Sequence, residues 1–153
     1  MADIMDSATR SRVMSRIRSV NTRPELVVRH LLHRLGFRYR LHVRSLPGTP
    51  DLVLPKYRAV IFVHGCFWHG HDCPAFRLPG TRQDFWSAKI VRNRERAQVS
   101  EHALANAGWR IAVVWECALR GPSRIGDEAS VKRLASWLRS SRKRCEIKGG
   151  KKI

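Results

Sequence analysis

The stretch Val60-Ile61-Phe62-Val63-His64-Gly65-Cys66-Phe67-Trp68-His69-Gly70-His71-Asp72-Cys73 constrains this chain more than any other. Ala59 to Val63 is continuously apolar, which suits a strand buried on both faces of a central sheet. The ten residues from His64 to Cys73 then carry three histidines, two cysteines and two large aromatics. Thiols and imidazoles at that density pack poorly, but they suit metal ligation and proton transfer. Just upstream, Asp51 follows the turn Leu46-Pro47-Gly48-Thr49-Pro50.

The remaining chain reads as a scaffold for this loop. Thr22-Arg23-Pro24-Glu25 has the form of a capping box with an early proline. Val28, Leu31, Leu32 and Leu35 follow the helical period up to Gly36. Phe37 to Val43 alternates apolar and polar and predicts a half-buried strand. Asp51 to Leu54 starts a second strand, Pro55-Lys56 makes a tight connection, and Tyr57 to Val63 makes a third. Thr81-Arg82-Gln83-Asp84 opens a helix running to about Ala107 and closed by Gly108. Trp86, Ile90, Ala97 and Leu104 mark its inner face, and its outer face is basic. Ile111 to Trp115 is another buried strand, ending at Glu116-Cys117. Asp127 caps a last helix that turns Val131, Leu134, Ala135 and Leu138 inward. The order helix, three strands, helix, strand, helix predicts one α/β domain around a mixed sheet.

Charge sets the partner. Thirty Lys+Arg stand against twelve Asp+Glu, a formal net charge of +18, with Arg dominating. Guanidinium forks match phosphate geometry, and the basic residues run through the whole chain, so nucleic acid is the expected partner. No apolar run approaches the roughly 18 residues of a membrane span. The start, Met1-Ala2-Asp3-Ile4-Met5-Asp6, is unlike a signal peptide, so a cytosolic protein is expected. The basic leader, residues 7–21, has Val13, Met14, Ile17 and Val20 at helical spacing; it reads equally as a packed helix or as an arm that folds on DNA. The tail from Arg139 reads as a solvated run of Arg and Lys.

Cys66, His71, Cys73 and the distant Cys117 supply a Cys3His set. Soft thiolates plus imidazole at a tetrahedral count favour Zn2+, and four protein ligands leave no open position, so such a zinc is structural. His69 could replace His71, and buried structural cysteines are the plain alternative. Cys145 reads as a free thiol. Asp51, Glu25, His64 and His69 remain for chemistry. Phosphodiester hydrolysis needs carboxylates to hold Mg2+ and a base or acid near the attacking water or leaving oxygen. Asp51 could instead cap a turn, Glu25 could serve only the capping box, and the histidines could be packing residues. Phe67 and Trp68 could be core, or could wedge between DNA bases.

Pro-Gly-Thr-Pro-Asp-Leu-Val, Val-Ile-Phe-Val-His-Gly-Cys-Phe-Trp-His, Phe-Trp-x-x-Lys-Ile and Gly-Trp-Arg-x-x-x-Val-Trp-Glu-Cys-Ala-Leu together resemble the very-short-patch-repair (Vsr-type) mismatch endonucleases. The leader Ala-Thr-Arg-Ser-x-x-Met-x-x-Ile is similar to theirs, and the likeness spans about residues 1–140. It implies a restriction-endonuclease-like fold and a hydrolase that nicks one strand 5′ of the T in a T:G mismatch left by 5-methylcytosine deamination. Asp51 and the main-chain carbonyl of Val63 would bind Mg2+; Glu25 and His64 would hold metal-bound waters. His69 would act as general base or acid. Cys66, His71, Cys73 and Cys117 would hold structural Zn2+. Met14, Phe67 and Trp68 would enter the base stack, and Arg10, Arg12 and Arg16 would grip DNA. The chain would divide into a DNA-binding arm (residues 1–21), an endonuclease domain (22–140) and a disordered basic tail (141–153). The resemblance further implies a monomer acting on double-stranded DNA in the bacterial cytoplasm, at the nucleoid, alongside other repair proteins.

Three positions depart from the family pattern. Val63 replaces a common Thr, which matters little if only its carbonyl is used. Ala97 replaces an Asp that supports His69, so another group must substitute or activity is weak. Gly70 replaces a frequent His and is expected only to loosen the loop. Ala97 also sustains another reading, a zinc-stabilised protein that recognises mismatches with weak or no cleavage. A third reading is a related nicking enzyme with altered site preference.

Overall fold

The computed structural model describes residues 22–74 and 76–150. The basic leader lies outside them, and with it Arg10, Arg12, Met14 and Arg16. The elements are helix α1 (Arg23–Arg34), strands β1 (Arg40–Leu41), β2 (Leu52–Leu54) and β3 (Ala59–His64), helix α2 (Gln83–Asn106), strand β4 (Arg110–Trp115), the short helix α3 (Glu116–Leu119), helix α4 (Asp127–Leu138) and strand β5 (Arg144–Ile147). The strands form one mixed sheet in chain order. β1, β2 and β3 pair antiparallel, while β3, β4 and β5 pair parallel.

Period-2 alternation divides the core between two faces. Ala59 and Ile61 of β3 join Leu52, Leu54, Ala112 and Val114 against Val28 and Leu32 of α1 and Val131, Leu134, Trp137 and Leu138 of α4. Val60 and Phe62 join Val53, Ile111 and Val113 against Leu104 of α2. The first face is covered by α1 and α4. The second is covered only in part, because only Ile90 and Leu104 of the 24-residue α2 are buried. Trp86 and Ala97, expected to face inward, are half-buried. That uncovered end of the sheet, where His64 projects with the parity of Val60 and Phe62, is where the groove lies.

Three local expectations are corrected. The strand expected over Phe37–Val43 is two residues long, because Phe37 turns into the core and His42 takes a left-handed φ of +48°. Asp127 is the first helical residue of α4, with Gly126 as the cap at φ +101°; its charge still favours the helix N-terminus. The tail is not a solvated run over residues 144–147. It is β5, paired with β4 and burying Ile147 to 2% exposure. The Arg110 guanidinium explains the path: it donates to the carbonyls of Tyr57, Trp137, Leu138, Ser140 and Arg142, pinning the turn after α4 so that the chain re-enters at the open edge of β4. Arg144 adds an ion pair to Glu101 at 2.7 Å. Cys145, expected in a mobile tail, is a free, half-buried thiol within this strand.

Candidate active site

The groove encloses about 1330 Å³ between the sheet end, α1 and α2. Its walls carry Glu25, Asp51, Val63, His64 and His69, with Arg23, Arg92, Arg96 and Arg120 around them.

Glu25 is buried in the first turn of α1, where its main-chain N–H reaches the Thr22 hydroxyl at 3.4 Å. That much fits the capping box. Its carboxylate, however, takes Arg29 at 3.1 Å and His42 Nε2 at 2.8 Å, so it faces the sheet rather than only closing the cap. Asp51 accepts the Val63 main-chain N–H at 2.7 Å. Burial raises its pKa to about 7, against which the Val63 N–H works, while the Glu25 carboxylate adds to the rise. Ligand atoms of Glu25, His42 and Asp51 all lie within 4.8 Å of one another. Facing acids in a partly dry site repel when both are ionised. A hard divalent cation with oxygen ligands resolves that repulsion, so the donor set fits Mg2+.

His64 and His69 stack with ring centroids 3.9 Å apart, beside Trp115. Burial lowers the pKa of His64 to about 3, with the His69 charge acting in the same direction. Burial also lowers His69 to about 4, helped by Arg94. Both rings are therefore neutral at neutral pH, because burial disfavours the charged imidazolium. Among the described residues no carboxylate hydrogen-bonds to His69, so none of them takes the place left by Ala97.

Ligand atoms of Cys66, His71, Cys73 and Cys117 also gather within 4.8 Å of one another. His71, not His69, is the histidine of this group: its Nδ1 lies 3.6 Å from Cys117 Sγ, and its ring lies flat on Trp115 at 3.9 Å. Burial raises the Cys66 thiol well above its ordinary range and raises that of Cys117 as well. Packed thiols that resist ionising, with an imidazole among them, fit a soft cation that would draw off their protons. Gly149 closes the group from the tail, its N–H donating to Cys117 Sγ at 3.3 Å.

Phe67 and Trp68 are half-buried and belong to a surface cluster with Phe76 and Trp86. Lys89 Nζ lies 5.6 Å from the Trp68 ring and 5.9 Å from Trp86. Asn93 Nδ2 donates to the Trp68 carbonyl at 3.0 Å, fixing the loop to α2. Gly70 does more than loosen this loop. It has φ +56°, and a Cβ there would come within 2.6 Å of Ile90 Cγ2, so glycine permits the close approach to α2.

Residues 2–75 match the family model described as DNA mismatch endonuclease Vsr. The chain is 47% identical over 138 residues to the DNA mismatch endonuclease Vsr of Escherichia coli, covering 90% of this chain and 88% of that one. It belongs to the Vsr family of DNA mismatch endonucleases. Identity reaches 56% over 119 residues with the type II nicking enzyme V.XorIIP of Xanthomonas oryzae pv. oryzae, covering 78% of this chain and 88% of the relative. It is 46% over 120 residues with the type II nicking enzyme V.NmeAIP of Neisseria meningitidis, covering 78% and 86%. As a Vsr family member it is a DNA endonuclease, a hydrolase, on a restriction-endonuclease-like mixed sheet flanked by helices.

Within this Vsr scaffold the structure brings Glu25, Asp51, Val63, His64 and His69 to one groove and separates them from the four-ligand cluster. Sequence reasoning missed His42, whose only signal was a histidine at the polar end of an alternating run. It placed Trp86 in the interior, although Phe-Trp-x-x-Lys-Ile already put two aromatics and a cation on one face. Gly149 carried no signal.

Proposed function

We propose that this protein nicks one DNA strand 5′ of the T in a T:G mismatch, by Mg2+-dependent phosphodiester hydrolysis, and so starts very short patch repair. The observation that carries the reading is the Asp51 carboxylate on the Val63 N–H, facing Glu25, with the neutral His64–His69 stack in the same groove. Asp51 and the Val63 carbonyl would hold Mg2+, which when bound supplies positive charge against the scissile phosphate. Glu25 and His64 would orient the water whose oxygen bonds to phosphorus as the bond to the 3′ oxygen breaks. His69 would take the water's proton or deliver one to the leaving oxygen. Cys66, His71, Cys73 and Cys117 would hold Zn2+, tying the loop to the end of β4 and keeping these histidines in place.

Phe67 and Trp68, backed by Trp86, would enter the base stack beside the mismatch, where a T:G pair unstacks more readily than a matched one. Met14 would do so from the arm, with Arg10, Arg12 and Arg16 on phosphates. The net charge of +18 favours DNA over any uncharged partner. No described helix is long and apolar enough to cross a membrane. The reading places a monomer on nucleoid DNA in the bacterial cytoplasm, alongside other repair proteins.

Ala97 favours one alternative, a mismatch-binding protein with weak or no cleavage, because no carboxylate among the described residues hydrogen-bonds to His69. A labelled duplex with one T:G pair, a T:A control and an altered flanking context, each with Mg2+ or EDTA, separates the two. Metal-dependent nicking of the T strand alone supports the enzyme. Tight binding without a nick establishes the alternative.

A further inference from the structure

We propose that His42 is a positioning residue that holds the Glu25 carboxylate toward Asp51 and so shapes the divalent-cation site of the groove. The proposal rests on the metal-dependent reading above and adds a residue to it.

Three observations meet at this side chain. Its Nε2 lies 2.8 Å from Glu25 Oε2, on a carboxylate that is 1% exposed. Its main-chain N–H donates to the Asp51 carbonyl at 3.2 Å. Its φ is +48°, a left-handed conformation that L-residues disfavour and that persists where surrounding contacts demand it. One residue thus bonds both acidic positions, one through its ring and one through its backbone.

Arg29 also donates to Glu25, at 3.1 Å, but from one turn further along the same helix, so that bond moves with α1. His42 sits just past β1, and its ring links the α1 carboxylate to the strands that carry Asp51 and Val63. The left-handed backbone ends the strand and turns the ring across to α1. A partner that orients a ligating or water-orienting carboxylate commonly contributes tenfold or more in metal affinity or activity.

The test compares His42→Asn with His42→Gln. Asparagine tolerates the left-handed backbone but is too short to reach Glu25, whereas the glutamine amide can donate close to where Nε2 does. Free Mn2+ is followed by electron paramagnetic resonance as it is titrated into the full-length protein on a T:G duplex with an uncleavable linkage 5′ of the T. Mg2+ dependence of nicking is measured in parallel. For His42→Asn we expect Mn2+ affinity to fall and half-saturating Mg2+ to rise by about tenfold, with DNA affinity and melting temperature held and His42→Gln restoring most of the loss. Equal behaviour of His42→Asn and wild type overturns the proposal, as does equal impairment of the two variants with lowered melting temperature, which marks a purely structural residue. A wild-type protein that does not nick in Mg2+ overturns the functional reading, and this proposal with it.

Discussion

The Asp51 carboxylate accepts the main-chain N–H of Val63 at 2.7 Å, across the antiparallel β2–β3 pair. This contact places a buried acid beside the backbone of the strand that ends in His64. The acid is nonetheless held near neutrality in its own titration, because burial outweighs the hydrogen bond.

A pH dependence follows from that balance. The folded pKa of Asp51 is about 7, above its ordinary 3.8. The folded state therefore binds this proton more tightly than the unfolded state, and without divalent cation this group's contribution to stability falls as pH rises from about 4 to about 7. Asp51→Asn removes that fall, so its melting temperature should gain on wild type across the window. On the proposed mechanism nicking needs the ionised acid, and Mg2+ would compete with the proton. The acid limb of the pH–rate profile should thus move to lower pH as Mg2+ increases. An acid limb indifferent to Mg2+ sinks the assignment of Asp51 as the ligand.

The four-ligand cluster should govern stability more than chemistry. Cys117→Ser is expected to lower bound zinc and melting temperature together, and full zinc content in that variant removes Cys117 from the site. At Gly149 a Cβ would fall 2.7 Å from the Cys117 carbonyl and 2.8 Å from that of Ser123. Gly149→Ala must therefore push the tail off Cys117. Chelator-driven zinc release, followed with a colorimetric dye, should be faster than in wild type; an unchanged rate means the N–H to Sγ bond is incidental.

Among the described residues, Ala97 leaves His69 without an acidic hydrogen-bond partner. Ala97→Asp should raise the single-turnover nicking rate on a T:G duplex by about tenfold, with little change in DNA affinity. A rate that stays flat shows that His69 is adequately placed by its stack on His64.

β5 should be part of the folding unit. Ile147 is 2% exposed, so Ile147→Ala should cost about 2–5 kcal/mol in urea unfolding. A cost within about 0.5 kcal/mol, the range of an ordinary surface substitution, would return the tail to the solvent.

The legible parts were those whose pattern is local. The apolar run Ala59–Val63 marked the central strand, and Gly36 and Gly108 marked helix ends that the left-handed glycines confirm. β5 was not legible because Arg144-Cys145-Glu146-Ile147 is short and half charged. It is a strand only because Arg110 gathers five carbonyls from distant segments and the edge of β4 stands open. Trp86 was misplaced for a related reason: helical spacing shows that a residue shares a face with Ile90, but not whether that face meets the sheet or a groove.

The sequence by itself determined the chemical inventory: the Cys and His ligands, the two acids, the aromatic pair and a charge suited to DNA. Their order along one strand and its following loop also required that most of them end up near one another. Tertiary structure decided the partition. It gave His71 to the thiols and His69 to His64, and turned the Glu25 carboxylate away from its cap to join His42. Those choices depend on which face of a strand meets which helix and on where burial strips away water, and both are set by packing between segments far apart in the chain.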